Sequence, residues 1–281
     1  RKGLGMVQLR QGPNKVRVKG ILQPIADGVK LFKKEFLFLY FSSKVIYMVG
    51  PCICFVCAYS MWVLFPARLA RHQFELGVLY FLCVSSLSVY GVFLVGWVCD
   101  SRYAFLGAMR AVAQTVSYEV VIRLVIFCPL LFIGSFDLSV VNSSGFLGIF
   151  FMFEVCVAWV FVMLAETHRT PFDFVEGESE LVAGYNVEFG GVGFAVLALS
   201  EYSNIFFISF FRGVVFVGIR SLFSFYLAGE IITVVFMTVF TYLVICIRGV
   251  LPRFRYDLLM KTCWTLLLPL FLGLFGFFLC L

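Results

Sequence analysis

The sequence predicts an all-α fold: a polytopic membrane bundle of about seven spanning helices, with an amphipathic helix at the membrane surface. Apolar residue types make up 62% of the 281 residues and charged residues only 14%. Uninterrupted apolar stretches of about 20 residues, the length that crosses a bilayer, recur along the chain. Because backbone polar groups find no water inside a bilayer, each stretch is expected to be helical. We therefore expect one membrane domain over residues 1–281.

The first segment, residues 1–44, is basic and is predicted to lie on the membrane surface. Within it, Leu22, Ile25, Val29 and Phe32 follow a 3-4-3 spacing, which places them on one face of a helix. The neighbouring lysines point elsewhere. This pattern is typical of an interfacial helix whose apolar face enters the lipid.

Seven candidate spans follow in the sequence. They cover residues 45–65, 77–99, 112–134, 147–167, 191–213, 225–247 and 261–280. Most of the 22 basic residues fall on one side of these spans: in residues 1–44 and in the loops near 100–111, 168–190 and 248–260. An excess of Lys and Arg marks the cytoplasmic or mitochondrial matrix side.

Carboxylates are concentrated on that same side. The loop 168–190 is acidic, and further glutamates lie within or at the ends of the spans. The loop carries Asp173, Glu176, Glu178, Glu180 and Glu188, and the spans add Glu119, Glu154, Glu166, Glu201 and Glu230. Acidic residues at membrane depth are costly and usually face a protein interior or a wet cavity. The set could form a chain of proton-exchanging groups; the alternative is a solvated loop with incidental polar contacts between helices.

The cysteines favour packing over metal binding. The sequence contains ten cysteines, almost all inside apolar runs, which is typical of buried thiols. Cys54 and Cys57 form a lone CxxC pair with no second pair and no nearby histidine, so no metal site is predicted.

Several long motifs, in order, resemble one known family. They are QLRQGPNKV with GILQPIADGVKLFKKE, GAMRAVAQTVSYEV, AETHRTPFDFVEGESELVAGYNVEF, SEYSNI and IRGVLPRFRYDLLM. Through these motifs the chain is similar, over nearly its whole length, to the family of subunit 1 of respiratory complex I, the NADH:ubiquinone oxidoreductase. That family has eight spanning helices, so the resemblance implies that one helix precedes Arg1.

The resemblance implies a subunit that forms the access tunnel for ubiquinone, its substrate, and has no redox centre of its own. FMN and iron–sulfur clusters would belong to partner subunits. Tunnel positions would be Arg1, Arg10, Asp27, Arg169, Tyr202, Arg248 and Arg253. The family's proposed proton path would comprise Glu119, Glu166, Asp173, Glu176, Glu178, Glu180, Glu188 and Glu201.

The same resemblance implies partners and a location. Expected partners are the peripheral-arm quinone-site and iron–sulfur subunits, antiporter-like and other membrane-arm subunits, and lipids, with no nucleic acid. The expected location is the mitochondrial inner membrane, with a bacterial plasma membrane as the alternative. Two other functions remain open at this point: a related membrane subunit of a hydrogenase or another quinone-linked dehydrogenase, and a stand-alone ion transporter.

The chain also departs from the family pattern. His168 stands where the family commonly has Asn, Phe236 where it commonly has Lys, and Ala198 where it commonly has an aromatic residue. Arg123 and Glu154 are charges where relatives are usually uncharged. Since unpaired charges in a membrane are costly, we predict an Arg123–Glu154 ion pair, with Glu119 as the competing partner four residues before Arg123.

Overall fold

The structure, a computed structural model, describes residues 2–16, 18–35, 43–65, 74–144, 152–174, 184–218 and 226–280. Its α-helices are α1 (Lys2–Val7), α2 (Gln23–Lys33), α3 (Lys44–Ser60), α4 (Gly77–Val98), α5 (Arg102–Ile133), α6 (Leu138–Ser143), α7 (Phe153–Glu166), α8 (Gly191–Val217), α9 (Tyr226–Val250), α10 (Tyr256–Thr262) and α11 (Leu268–Cys280). Short 3-10 turns cover Val18–Gly20, Met61–Leu64 and Gly184–Asn186, and a π-helical turn covers Cys263–Leu267. The described ranges contain no β-strand.

Among the described residues, six helical segments are long and apolar enough to cross a membrane. They are Lys44–Leu64, Gly77–Val98, Arg102–Ile133, Gly191–Val217, Gly229–Val250 and Tyr256–Cys280. The predicted fold class, an all-α polytopic bundle, is confirmed. The remaining predicted span, 147–167, corresponds to α7, which is described over 14 residues from Phe153 to Glu166.

Helix α5 corrects one predicted boundary. It begins at Arg102, well before the predicted start at 112, so most of the expected loop near 100–111 is helical. The small residues Ala104 and Ala108 are buried in this part. A Cβ atom at Gly96 of α4 would lie only 2.0 Å from Cβ of Ala108, so the two helices cross closely here. Close packing, which an apolar-run search does not detect, therefore extends the helix beyond the span.

The predicted amphipathic helix is confirmed as α2. Ile25, Val29 and Phe32 are each more than half exposed, at 63%, 58% and 58%. The carbonyl oxygen of Leu31 lies 3.5 Å from the Cβ position of Gly191, so the end of α2 rests on the first residue of α8. The helix thus contacts the bundle at one end and presents its apolar face outward.

Aromatic side chains form much of the main core. Phe81 of α4 stacks on Phe211 of α8 at 4.6 Å between ring centroids, and Trp159 of α7 also stacks on Phe211, at 5.8 Å. A second core cluster lies near the chain segments that leave α4 and enter α8, and includes Tyr47, Tyr185 and Phe189. Helix α8 is therefore central to the bundle and carries its polar residues between neighbouring helices.

Candidate functional site

A cavity of about 70 Å³ with both polar and apolar wall residues lies between α3, α4, α5, α7 and α8. Its wall contains three carboxylates, a tyrosine, a histidine and several small polar groups: Glu119, Glu166, Glu201, Tyr185, His168, Ser85, Ser88, Thr115, Ser200 and Asn204. A water molecule needs roughly 10–15 Å³ of such space. The cavity can therefore hold several waters in contact with three acidic groups, which come from three different helices.

Helical spacing explains how these groups share one wall. Thr115 and Glu119 are four residues apart on α5, and Ser85 and Ser88 are three apart on α4. Residues with these spacings lie on one face of a helix. Helices α4 and α5 therefore each turn a short polar strip toward the cavity.

Glu166 ends α7 beside this cavity. The amide nitrogen of Gln114 on α5 donates hydrogen bonds to the carbonyl oxygens of Ala165 at 2.8 Å and of Phe172 at 3.0 Å. These bonds fix the point where the chain leaves α7 and folds back. The Oε2 atom of Glu166 is buried and has no hydrogen-bond partner among the residues that the structure describes. Buried polar atoms are normally satisfied, so a water in the cavity is the natural partner of this oxygen.

Glu201 is held by two neighbours. Its Oε2 atom lies 3.5 Å from Nη2 of Arg169, and the Tyr185 hydroxyl donates to its Oε1 atom at 2.5 Å. The guanidinium of Arg169 also stands over the Tyr202 ring, 5.1 Å from its centroid. Arg169 is only 7% exposed. Glu201 therefore sits between a cation and a hydroxyl, at one edge of the cavity.

Glu119 forms an ion pair with Arg123, one turn further along α5. The predicted Arg123–Glu154 pair is wrong, and the competing partner is the one observed. A pair four residues apart on one helix forms without requiring a second helix. Glu154 lies exposed in the first turn of α7, where the helix dipole favours a negative charge, and no ion-pair partner is found for it among the described residues.

Asp173 and Glu188 lie outside the cavity wall. Asp173 is 3% exposed, and its Oδ2 atom lies 3.4 Å from Nη2 of Arg253. The backbone N–H of Phe254 donates to the carbonyl of Pro171 at 3.1 Å, so the segment after α9 fastens the segment after α7. The carboxylate of Glu188 accepts a hydrogen bond from the backbone N–H of Asp100 at 2.8 Å. These two carboxylates thus join separate chain segments.

The side chain of His168 also lines the cavity. Burial and the adjacent charge of Arg169 lower the pKa of His168 from its usual value to about 4. The ring is therefore neutral near pH 7. It can exchange hydrogen bonds with water at that pH without adding a second cation beside Arg169.

Within the described ranges, the residues predicted to line a tunnel lie in several separate contacts. Arg169 and Tyr202 are together, and Arg253 pairs with Asp173. Arg10 donates to the side chain of Gln8, Asp27 accepts from the side chain of Gln23, and Arg248 lies half-buried in the last turn of α9. Arg1, Glu176, Glu178 and Glu180 lie outside the described residues, so their predicted roles stay predictions.

Two side chains at the site were missed by sequence reasoning. Tyr185 lies in the quoted VAGYNVEF stretch and Gln114 in GAMRAVAQTVSYEV, but neither carries a charge that would single it out. For Gln114, an amide inside an otherwise apolar run was a usable indication of a buried hydrogen-bonding role. Within the described ranges, no group of three or more His, Cys, Asp or Glu side chains could hold a metal ion, and the cysteines found there are free thiols.

Comparison with known proteins gives one consistent result. The family described as NADH dehydrogenase matches residues 1–279. The chain is 45% identical to "NADH-ubiquinone oxidoreductase chain 1" of Anopheles gambiae over 282 residues, which is 99% of this chain and 87% of that protein. It is 42% identical to the protein of the same name from Aedes aegypti over 283 residues, with the same coverage. The protein of that name from Heterololigo bleekeri is 44% identical over 285 residues, 99% of this chain and 88% of that protein.

Proposed function

We propose, because this chain belongs to the NADH dehydrogenase family, that it is a multi-pass membrane subunit of a proton-translocating NADH:ubiquinone oxidoreductase. Its relatives are named as chain 1 of that enzyme. We place it in the mitochondrial inner membrane, beside the quinone-site and iron–sulfur subunits and the antiporter-like subunits of the same complex. Its role is to admit ubiquinone and to pass protons, while partner subunits carry the electrons.

The single observation that carries the proton-path proposal is the cavity with Glu119, Glu166 and Glu201 in its wall. Quinone reduction consumes two protons together with two electrons, so charge changes near the quinone need mobile protons to balance them. Carboxylates that share a small, poorly solvated space titrate as a coupled set, because the charge of each acts on the others. A proton taken up at one of them changes the proton occupancy of the rest.

The three carboxylates are not equivalent in this arrangement. Glu119 is paired with Arg123 and Glu201 with Arg169, whereas Glu166 has no cation partner among the described residues. An ion pair favours the charged form of a carboxylate, and burial without a pair favours the neutral form. We therefore assign Glu166 as the group that holds the exchangeable proton, with the two paired carboxylates in the same cavity wall.

The tunnel proposal is supported by residues at the end of the bundle that carries Glu201. Arg169 lies over the Tyr202 ring and beside Glu201, which would place a cation, a ring and a carboxylate near the quinone head. The exposed apolar face of α2 would border the mouth that admits the isoprenoid tail from lipid. Arg1, Arg10, Asp27, Arg248 and Arg253 complete the proposed tunnel set, and Asp173, Glu176, Glu178, Glu180 and Glu188 extend the proposed proton path toward it.

The test compares two glutamine substitutions on the same helix in the assembled complex. Glu166→Gln removes the proposed exchangeable proton, whereas Glu154→Gln changes an exposed carboxylate outside the cavity. We expect Glu166→Gln to lower ubiquinone-linked NADH oxidation by about tenfold or more, the scale of a lost proton-transfer group. Electron transfer to a water-soluble acceptor should be unchanged in both variants. Equal quinone-linked rates in both would reject the proposal.

A further inference from the structure

The hydroxyl of Tyr185 contacts Glu201, and both residues line the cavity. It donates to Oε1 of Glu201 at 2.5 Å, and the tyrosine itself lines the cavity wall together with Glu119 and Glu166. A separation this short between a hydroxyl and a carboxylate oxygen is typical of a charge-assisted hydrogen bond. The phenol oxygen keeps lone pairs that can accept a hydrogen bond from water. Tyr185 therefore contacts a carboxylate through its hydroxyl and lines the same cavity as that carboxylate.

The backbone fixes Tyr185 independently of Glu201. Tyr185 lies in the 3-10 turn Gly184–Asn186, and its carbonyl oxygen accepts from the Cys99 thiol at 3.7 Å. A Cβ atom at Gly107 of α5 would lie 3.2 Å from Cα of Gly184, so α5 packs directly on the turn. Tyr185 is 4% exposed. The position of its hydroxyl thus follows from the packing of the turn, and Glu201 meets it there.

We propose that Tyr185 is a proton-relay residue that positions Glu201 and passes protons between this carboxylate and water in the cavity. In the relay step the phenol O–H bond breaks as its proton moves to Oε1 of Glu201. A hydronium ion in the cavity gives a proton to the same phenol oxygen and becomes water. The net transfer is one proton from hydronium to the Glu201 carboxylate, and the tyrosine is regenerated. The reverse sequence releases the proton to the cavity.

Arg169 gives this transfer an electrical consequence. Protonation neutralises Glu201 while Arg169, 3.5 Å from its Oε2 atom, remains charged. Arg169 then stands beside the Tyr202 ring without the opposing charge of Glu201, at the end of the bundle assigned to the quinone. A proton passed through Tyr185 therefore changes the local field at that end of the bundle.

Tyr47 offers a matched control for the loss of one buried hydroxyl. It is 1% exposed, and its hydroxyl donates at 3.2 Å to the main-chain oxygen of Glu188. Tyr47 is absent from the cavity wall. The variants Tyr47→Phe and Tyr185→Phe thus remove the same atom from similarly buried rings, but only the second removes it from a carboxylate beside the cavity.

The experiment measures turnover, proton translocation and solvent isotope effect in assembled complexes reconstituted into liposomes. Tyr185→Phe is expected to lower quinone-linked turnover by about fivefold or more and to raise the solvent isotope effect, because proton transfer then limits the rate. Tyr47→Phe should stay within about twofold of the unaltered complex by the same measure. Rates are normalised to electron transfer to a water-soluble acceptor, which reports the amount of assembled enzyme.

The double variant Tyr185→Phe with Glu201→Gln tests whether Tyr185 acts through Glu201. We expect it to be no slower than Glu201→Gln alone, since both changes interrupt one transfer. Tyr185→His keeps a ring that can exchange a proton and should recover at least half of the turnover lost in Tyr185→Phe. If Tyr185→Phe does not assemble, a Tyr185→His complex as slow as Glu201→Gln overturns the relay.

This inference rests on the proposed proton path, and the two can fail separately. Normal turnover and pumping in Tyr185→Phe, with Glu201→Gln impaired, would overturn the relay and leave the path standing. Losses that add in the double variant, or a Tyr185→His complex no faster than Tyr185→Phe, would also overturn it. Normal turnover in Glu201→Gln would instead remove the path at this carboxylate, and the relay with it.

Discussion

Replacing Arg169 with methionine tests the ion pair that holds Glu201. Arg169 is 7% exposed, and its Nη2 atom lies 3.5 Å from Oε2 of Glu201, whose side chain is 25% exposed. Breaking a fully buried pair costs about 3–5 kcal/mol. The 3.5 Å separation and the partial exposure of Glu201 reduce this to about 2 kcal/mol, because water screens the charge that is left. The lost contact with the Tyr202 ring adds roughly 0.5 kcal/mol.

The assay is the rate at which the assembled complex dissociates on heating, followed on native gels. If the Arg169→Met complex loses about 2–3 kcal/mol of stability, it can dissociate up to roughly 30- to 150-fold faster than the unaltered complex. Arg255→Met is the matched control, since Arg255 pairs with Asp257 at 2.9 Å but both side chains are largely exposed, at 83% and 71%. Such surface pairs contribute little. Combining Arg169→Met with Glu201→Gln should recover part of the loss. If the Arg169→Met complex dissociates as slowly as the Arg255→Met complex, the Arg169–Glu201 pair does not stabilise the assembly.

Three further predictions concern neighbouring groups. Asp173→Asn leaves Arg253 without its carboxylate and should make the segment after α7 more sensitive to limited proteolysis; unchanged cleavage would contradict an anchoring role for this pair. Arg123→Leu leaves Glu119 without its cation and should lower quinone-linked turnover severalfold, yet it should add nothing to Glu119→Gln, so additive losses would exclude the pairing. His168 has a pKa lowered from 6.5 to about 4, so the folded chain resists protonation of this ring and stability is lost as the pH falls from about 6.5 toward about 4. The full pKa shift corresponds to a stability loss of at most about 3 kcal/mol. The His168→Asn complex should lose less stability in acid than the unaltered complex, measured as the fraction of intact complex after incubation at about pH 4.5 and about pH 7.5. An equal loss in the variant and in the unaltered complex would assign the acid sensitivity to other groups.

The fold was accessible to sequence reasoning because long apolar runs and the 3-4-3 pattern of α2 are strong, local features. The boundary of α5 was not, since its first turns are held by contacts between Ala108 and Gly96 of another helix. The length of an apolar run indicates how much of a helix lies within the lipid. It does not measure how far close packing continues the helix beyond the membrane.

The site was partly accessible for the same reason. The cost of acidic groups in a membrane marked Glu119, Glu166 and Glu201, and the structure brings these three to one cavity. The partner of Arg123 was misjudged, because the sequence does not show which faces of two helices meet. Tyr185 was missed because a tyrosine is common in apolar surroundings, and only the folded turn shows that its hydroxyl reaches a carboxylate.

Proton translocation by a Glu166→Gln complex in sealed liposomes tests the central claim most directly. The measurement is the number of protons moved per NADH oxidised, with Glu154→Gln as the control and a proton carrier added at the end to verify that the vesicles are sealed. We expect Glu166→Gln to lose most of its proton translocation along with quinone-linked turnover, whereas Glu154→Gln should retain both. Full translocation at full quinone-linked turnover in Glu166→Gln would contradict the assignment of this cavity as a proton path.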